Sequence, residues 1–302
     1  MPIRFIAGLL ICAAAYAGIV TDVVDAINHG NFALADALAT RYRTQSGVTP
    51  EYIEAVSWLG RGALAARQFD KAQAYAALAE KLAAAQLKTR PLDAEPHLPI
   101  ALGAAIEVQG LVLNSQGQKG EAIAYLQKEL AAYRATSIRT RIQKNINLLG
   151  LEGKTAPPLE EKVFLGAKPS PLSALRGKPV ILFFWAHWCG DCKQEGPILA
   201  EIQKEYASKG LVVVAPTQHY GYVARGEEAP PAEELKYIDQ VRRTYYPNLL
   251  NVSAPVSEEN FKNYGASSTP TLVIIDRSGI VRVYHPGAMT LEELRAALNR
   301  VS

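Results

Sequence analysis

Three cysteines occur in the 302 residues, and two of them, Cys189 and Cys192, are separated only by Gly190 and Asp191. Two intervening residues bring a pair of sulfurs within bonding reach, so the spacing suits a dithiol that closes to a disulfide and opens again. The attacking species in such exchange is a thiolate. A cysteine at the start of a helix meets unpaired backbone N–H groups and the positive end of the helix dipole, and both favour the anion. Cys189 is therefore the expected nucleophile. Cys192, one turn further in, is placed to attack the mixed disulfide and release the partner, leaving the two cysteines oxidised. Two other uses of the pair stand beside this one. A zinc site needs more ligands than two thiolates, and His29, His97, His187, His219 and His285 show no paired spacing, so no metal is expected. A permanent structural disulfide is the second alternative, against which Trp188 and the helix-start placement argue for an exposed, reactive pair.

The elements around the pair have to hold it. Val180 to Trp185 is a continuous apolar run suited to a buried central strand, Pro197 to Ala207 has a helical pattern, and Leu211 to Ala215 is a second buried strand, giving βαβ order. A further helix is expected over Ala232 to Tyr245. Thr271 to Ile275 and Ile280 to Tyr284, joined by Asp276-Arg277-Ser278-Gly279, read as a hairpin, and Leu291 to Val301 as a closing helix. The Gly- and Pro-punctuated stretch from Gly150 to Pro158 marks a change of character, so residues 151–158 are expected to link a helical domain, 18–150, to an α/β domain, 159–302.

A bare Cys-x-x-Cys says little, but here it sits in an ordered set. Ala156-Pro157 starts the domain, Leu172-Ser173-Ala174-Leu175-Arg176-Gly177-Lys178 precedes the strand, and Trp185-Ala186-His187-Trp188-Cys189-Gly190-Asp191-Cys192-Lys193 follows it. Glu195 and Pro197 lie in the helix, and Ser268-Thr269-Pro270-Thr271 comes far downstream. Over roughly residues 153–302 this set resembles the thioredoxin superfamily, and more closely its exported TlpA/ResA-type branch. The resemblance implies an α/β thioredoxin-like domain, a central mixed sheet flanked by helices, that works as a thiol-disulfide oxidoreductase without a cofactor. It implies that Cys189 and Cys192 are catalytic and that Pro270 is a cis proline facing them. The backbone of Thr269 would then offer hydrogen bonds to an extended substrate segment, with Trp188 beside it.

Three residues are candidates for tuning the pair. Asp191 stands where thioredoxin has proline, and a negative side chain beside the thiolate raises its pKa and favours the bonded form, making the couple more reducing. Phe183 occupies the strand position where thioredoxin has a buried carboxylate that helps deprotonate the second cysteine, so that role is unfilled or has moved. Glu195, three residues past Cys192, is one candidate for it, an acidic residue of the insertion another; the alternative for Glu195 is a solvated helix residue. His187 either tunes the dithiol or is a surface histidine. Between Cys192 and Pro270 lie 77 residues, more than a minimal thioredoxin fold needs. The excess includes Thr217-Gln218-His219-Tyr220-Gly221-Tyr222, Glu227-Glu228 and Glu233-Glu234, and serves partner selection or forms a passive lid.

Residues 18–150 read as amphipathic helices rich in Ala, Leu and Gln, with a weak internal repeat. Gly30-Asn31-Phe32, Gln68-Phe69 and Gly117-Gln118 each look like the turn between two helices, at spacings of 37 and 50 residues, followed by the small residues Ala35, Ala72 and Ala122. Leu59, Gly60, Phe69, Ala72 and Ala79 in the second unit, and Gly110, Leu113, Gly117 and Ala122 in the third, fall where a tetratricopeptide repeat (TPR) places its packing residues. This TPR-like reading stands against an irregular bundle whose alanines permit close packing. Pro91, Pro96 and Pro99 break the second unit from the third.

The net charge of +3, from 32 Lys and Arg against 29 Asp and Glu, is scattered rather than gathered in a tract, so nucleic acid is not expected as a partner. Arg4, the apolar run Phe5 to Ala15 and Ala15-Tyr16-Ala17 form a secretory signal over residues 1–17. The apolar stretch from Phe5 to Val20 is 16 residues, short of the ~20 of a spanning helix, and an uncleaved N-terminal membrane anchor is the other reading. Cleavage removes Cys12 and leaves one close-spaced pair in an exported, hence periplasmic or otherwise extracytoplasmic, protein. The expectation is a reductase of disulfides in client proteins, recycled by a membrane or periplasmic thiol reductant, with the helical domain docking partners. The alternative is a TPR-type adaptor or chaperone that binds clients with little redox turnover.

Overall fold

Val180–Phe184 forms a strand, β2, buried on both faces, which is why its sequence shows no polar alternation. Ile181 and Phe183 point into one apolar cluster, Val180, Leu182 and Phe184 into another. The structure, a computed structural model, describes residues 18–301, so the expected signal over 1–17, with Cys12, lies outside the described residues. The chain groups into two compact units that divide between Ala105 and Ile106.

The first unit is helical: α1 Ile19–Asn28, α2 Phe32–Ser46, α3 Pro50–Ala65, α4 Phe69–Gln86 and the start of α5 His97–Ser115. Asn31 caps α2 by accepting the Leu34 N–H, and Thr49 caps α3 by accepting that of Tyr52, with Pro50 in the first turn where no N–H is needed. Ala72, Ala76, Ala79 and Ala83 line one face of α4 and are fully buried, which lets α3 approach closely at Gly60.

The turns expected at the three repeat positions share one geometry. Gly30, Arg67 and Gly117 take left-handed φ values of 72°, 59° and 82°. In each turn the next residue, Asn31, Gln68 or Gln118, donates its N–H five residues back, to Ala26, Ala63 or Leu113, which closes the helix with a Schellman motif. Ala35, Ala72 and Ala122 follow, all fully buried. The longer second spacing holds Pro91, the short 3₁₀ turn Leu92–Ala94 and Pro96.

The second unit begins within α5 and continues through α6 Lys119–Ala132 and α7 Arg139–Gly150. Glu107 on α5 accepts from Arg141, Lys144 and Asn145 on α7, which ties that part of α5 to the second unit. The change from helix to sheet comes after Gly150, where Gly153, Lys154 and Ala156 hydrogen-bond along Gly279 and Val281. Then follow β1 Phe164–Leu165, β2, α8 Gly190–Glu205, β3 Val212–Val214, α9 Pro231–Tyr245, β4 Ala254–Pro255, α10 Glu258–Tyr264, β5 Thr271–Ile275, β6 Val281–Pro286 and α11 Leu291–Asn299. The main sheet has the order β3-β2-β5-β6, parallel between β3 and β2 and antiparallel elsewhere, while β1 pairs with β4. One face of it packs residues of α8, α9 and α11, the other Phe261 and Tyr264 of α10. This is the mixed α/β sheet flanked by helices that the thioredoxin resemblance implies.

The helical segment read over Pro197 to Ala207 extends back to Gly190, with Pro197 inside it. Helix α8 therefore begins immediately after Cys189. Gly196 lets it close on the rest of the domain: a Cβ there would lie 2.6 Å from Tyr246 Cδ1 and 3.3 Å from the Tyr245 carbonyl oxygen. Tyr246 is buried against Phe183 and Trp185, so it has little room to yield. Gly196→Ala should lower the unfolding free energy by about 1–3 kcal/mol, opposite in sign to the ~1 kcal/mol gain of Gly→Ala in an open helix; urea unfolding midpoints check this.

Candidate active site

Cys189 is the N-cap residue of α8, and its Sγ accepts the N–H of Cys192 at 3.1 Å. The two cysteines are joined as a disulfide. The carbonyl oxygen of Thr269 lies 3.4 Å from Cys189 Sγ, and the Thr269–Pro270 peptide is cis. Pro270 is buried, and its carbonyl accepts the Gly287 N–H at 2.8 Å. The loop before the pair is fixed from below: the Trp185 N–H donates to Pro216, its indole to Ala215 and the Thr217 hydroxyl to the Trp185 carbonyl.

The pair is not exposed as the sequence suggests. Cys189 is 3% and Cys192 0% accessible, both inside the apolar cluster that holds Phe183, Trp185, Leu199 and Tyr246. The Cys189 sulfur lies against the Thr269 carbonyl, and the motif reaches solvent through Trp188, at 50%, and through Gly190. Asp191 is exposed in the first turn of α8.

Two candidate residues stand in surroundings that sequence left open. Glu195 is not a solvated helix residue: it is 1% exposed, one turn along α8 from Cys192, and accepts the Met289 N–H at 3.3 Å. Burial raises its carboxyl pKa from 4.5 to about 7, against the opposing Met289 hydrogen bond. Phe183 is buried in the core and offers no carboxylate of its own. His187 is no surface histidine either, at 1% exposure. Its ring meets those of Tyr220, Tyr222 and Tyr237 edge-on, with centroids 5.5, 5.2 and 5.3 Å away, and its Nε2 lies 3.4 Å from Glu234 Oε1. Burial lowers its pKa below the ordinary value despite the neighbouring carboxylate.

Glu234 and Tyr246 matter here and were not singled out. Glu234 reads as one of four acidic residues named in the insertion, yet it is fully buried while Glu233 is exposed. The spacing held the signal: on α9, Glu234, Ile238 and Val241 recur at helical period on one buried face. Among the described residues no group of three or more His, Cys, Asp or Glu side chains is arranged to hold a metal ion.

Known proteins resemble the second half of this chain. Residues 173–302 match the family model of a thioredoxin-like domain. The chain is 34% identical over 148 residues to the thioredoxin-like protein YneN of Bacillus subtilis, covering 49% of this chain and 79% of that protein. It is 29% identical over 149 residues to the thiol-disulfide oxidoreductase ResA of Geobacillus thermodenitrificans, covering 49% and 77%. A crystal structure of a putative thiol:disulfide interchange protein DsbE from Chlorobium tepidum is 27% identical, covering 50% of this chain and 96% of that one, with a TM-score of 0.38. The chain belongs to the thioredoxin-like family of thiol-disulfide oxidoreductases.

The raised Glu195 pKa makes stability depend on pH. The folded chain holds this proton to about pH 7 and the unfolded chain only to about 4.5. The contribution is therefore fully present below about pH 4.5 and is lost as pH rises through 7, a fall of about 3 kcal/mol. Glu195→Gln keeps an acceptor for Met289 and should flatten this part of the profile in denaturant titrations of the oxidised protein between pH 4.5 and 7.5. An unchanged slope would count against a buried, proton-holding Glu195.

Proposed function

We propose that the chain reduces disulfides of client proteins outside the cytoplasm, with Cys189 as the attacking and Cys192 as the resolving cysteine. The observation that carries this reading is the closed Cys189–Cys192 pair at the first turn of α8, with the Cys192 N–H directed at Cys189 Sγ. In the reduced protein that N–H and the helix dipole stabilise a Cys189 thiolate. The thiolate attacks one sulfur of the client disulfide. The client S–S bond breaks, the Cys189–client bond forms, and the departing client sulfur takes up a proton. Cys192, deprotonated with the Glu195 carboxylate as acceptor, then attacks Cys189 Sγ, breaking the Cys189–client bond, and the client sulfur leaves and takes up a proton. The client leaves fully reduced, and the protein returns to the disulfide form.

The Thr269 backbone and Pro270 form the ledge on which an extended client segment lies, next to the exposed Trp188. Asp191, beside the nucleophile, favours the bonded form and pushes the couple toward reduction of others. A membrane or periplasmic dithiol reopens the pair. The signal over residues 1–17 exports the chain, and the helices of 18–150, in a TPR-like arrangement, dock partners while the domain of 159–302 does the chemistry. The three like turns and their buried alanines support that arrangement.

Cys189→Ser should reduce turnover of a protein disulfide to the rate of the added reductant alone while the fold persists. Cys192→Ser should instead accumulate a mixed disulfide, visible as a client adduct on non-reducing electrophoresis. Turnover unaffected by Cys189→Ser would overturn the assignment, and client binding that survives loss of both cysteines, without turnover in the native protein, would favour an adaptor.

A further inference from the structure

Glu234 is completely buried, and a carboxylate in that position is costly unless its oxygens are well occupied. Its Oε1 accepts the N–H of Tyr220 at 2.6 Å and its Oε2 that of Gly221 at 3.0 Å. Each oxygen also faces an imidazole, Oε1 that of His187 at 3.4 Å and Oε2 that of His219 at 3.2 Å. These groups come from two separate segments. His187 belongs to the loop that delivers Cys189, two residues later, and His219 to Gly221 belong to the insertion.

Gly221, at a φ of 84°, gives the turn the left-handed conformation in which both N–H groups reach the carboxylate. The rest of the insertion closes on itself through the hydrogen bond from Ala229 to Gly221 and the bridge between Tyr222 and Glu228. Held in this way, the Tyr220 ring stands edge-on to Trp188, with centroids 5.6 Å apart at 80°. Trp188 keeps half of its surface open to solvent. Trp188 directly precedes Cys189, so its open face is the exposed aromatic surface available to a client cysteine bonded there.

We propose that Glu234 is a positioning residue for client binding: it fixes Tyr220 against Trp188, so that the two rings form one aromatic wall beside Cys189 that selects clients carrying a large apolar residue next to the disulfide cysteine. The inference rests on the oxidoreductase reading above and adds to it the substrate class and the residue that sets it. Glu234 does not touch the client; it acts through Tyr220.

The test compares two synthetic peptide disulfides that differ only in having Phe or Ser next to the reactive cysteine, reduced by the full chain under steady-state conditions. The native protein should prefer the Phe peptide by about tenfold in kcat/KM, mostly through KM. Glu234→Gln, which can accept only one of the two backbone N–H groups and loses the charge facing His187, should bring the preference close to one with kcat held within about twofold. Tyr220→Leu should do the same, and the double variant should be no worse than Tyr220→Leu alone. A native protein without the preference, a preference that survives Glu234→Gln, or effects that multiply in the double variant would each overturn the inference. So would a fall in kcat shared equally by both peptides, the mark of a merely structural role. If Glu234→Gln does not fold, Tyr220→Leu in the intact chain decides the matter, and an undiminished preference there overturns it. Failure of the native protein to reduce either peptide would overturn the oxidoreductase reading itself and the inference with it.

Discussion

The backbone N–H of Cys192 points at the sulfur of Cys189 across 3.1 Å at the first turn of α8, and much of the second unit serves to keep that contact. The sulfur sits where β2 stops and the helix starts, so strand and helix must be held at a fixed offset. Trp185 does this from below, hydrogen-bonded through both its nitrogens to the end of the neighbouring strand segment at Ala215 and Pro216. Tyr246 packs on Trp185 and Phe183 and fills the space that Gly196 leaves open. Above, the Thr269 carbonyl approaches the same sulfur from the loop before β5. A helix dipole fades beyond its first turn, so a small shift of α8 would remove most of the stabilisation of a thiolate there.

Two buried carboxylates flank this arrangement, and the surroundings of each suit a different task. Glu195 accepts a single backbone N–H and has no cation against it, so burial dominates and its proton is held to about pH 7. A group of that kind can exchange a proton with a neighbouring thiol near neutral pH. Glu234 accepts two backbone N–H groups and faces two imidazoles. Its role is geometric: it joins the insertion to the loop that presents Cys189. With Phe183 on β2, where thioredoxin keeps its acid, the proton-accepting role passes in this account to the helix that carries the cysteines.

Much of this was legible in the sequence, because the elements that matter bury themselves with strong local signals. The apolar run of β2, the hairpin of β5 and β6 and the Cys-x-x-Cys between strand and helix could be read directly, and so could the turns at Gly30, Gln68 and Gly117. What was not legible depends on tertiary neighbours. No local rule says that His187 lies under three tyrosines, that Glu195 faces the Met289 backbone, or that Cys189 meets a loop 80 residues downstream. The helical pattern read over Pro197 to Ala207 marks only the later part of the helix, which reaches back to Gly190, where Cys189 supplies the cap. Helix α5 gave no sign that the compact units divide within it, because its apolar pattern runs through without interruption.

The central claim is that Cys189 and Cys192 form a reducing couple, and the reduction potential of that couple tests it most directly. It would be measured by equilibrating the chain against glutathione or dithiothreitol buffers and counting free thiols after an acid quench. A reducing couple should show a value near that of thioredoxin, ~−270 mV; one near the ~−120 mV of a strong periplasmic oxidant would contradict it and make disulfide formation the function of this site.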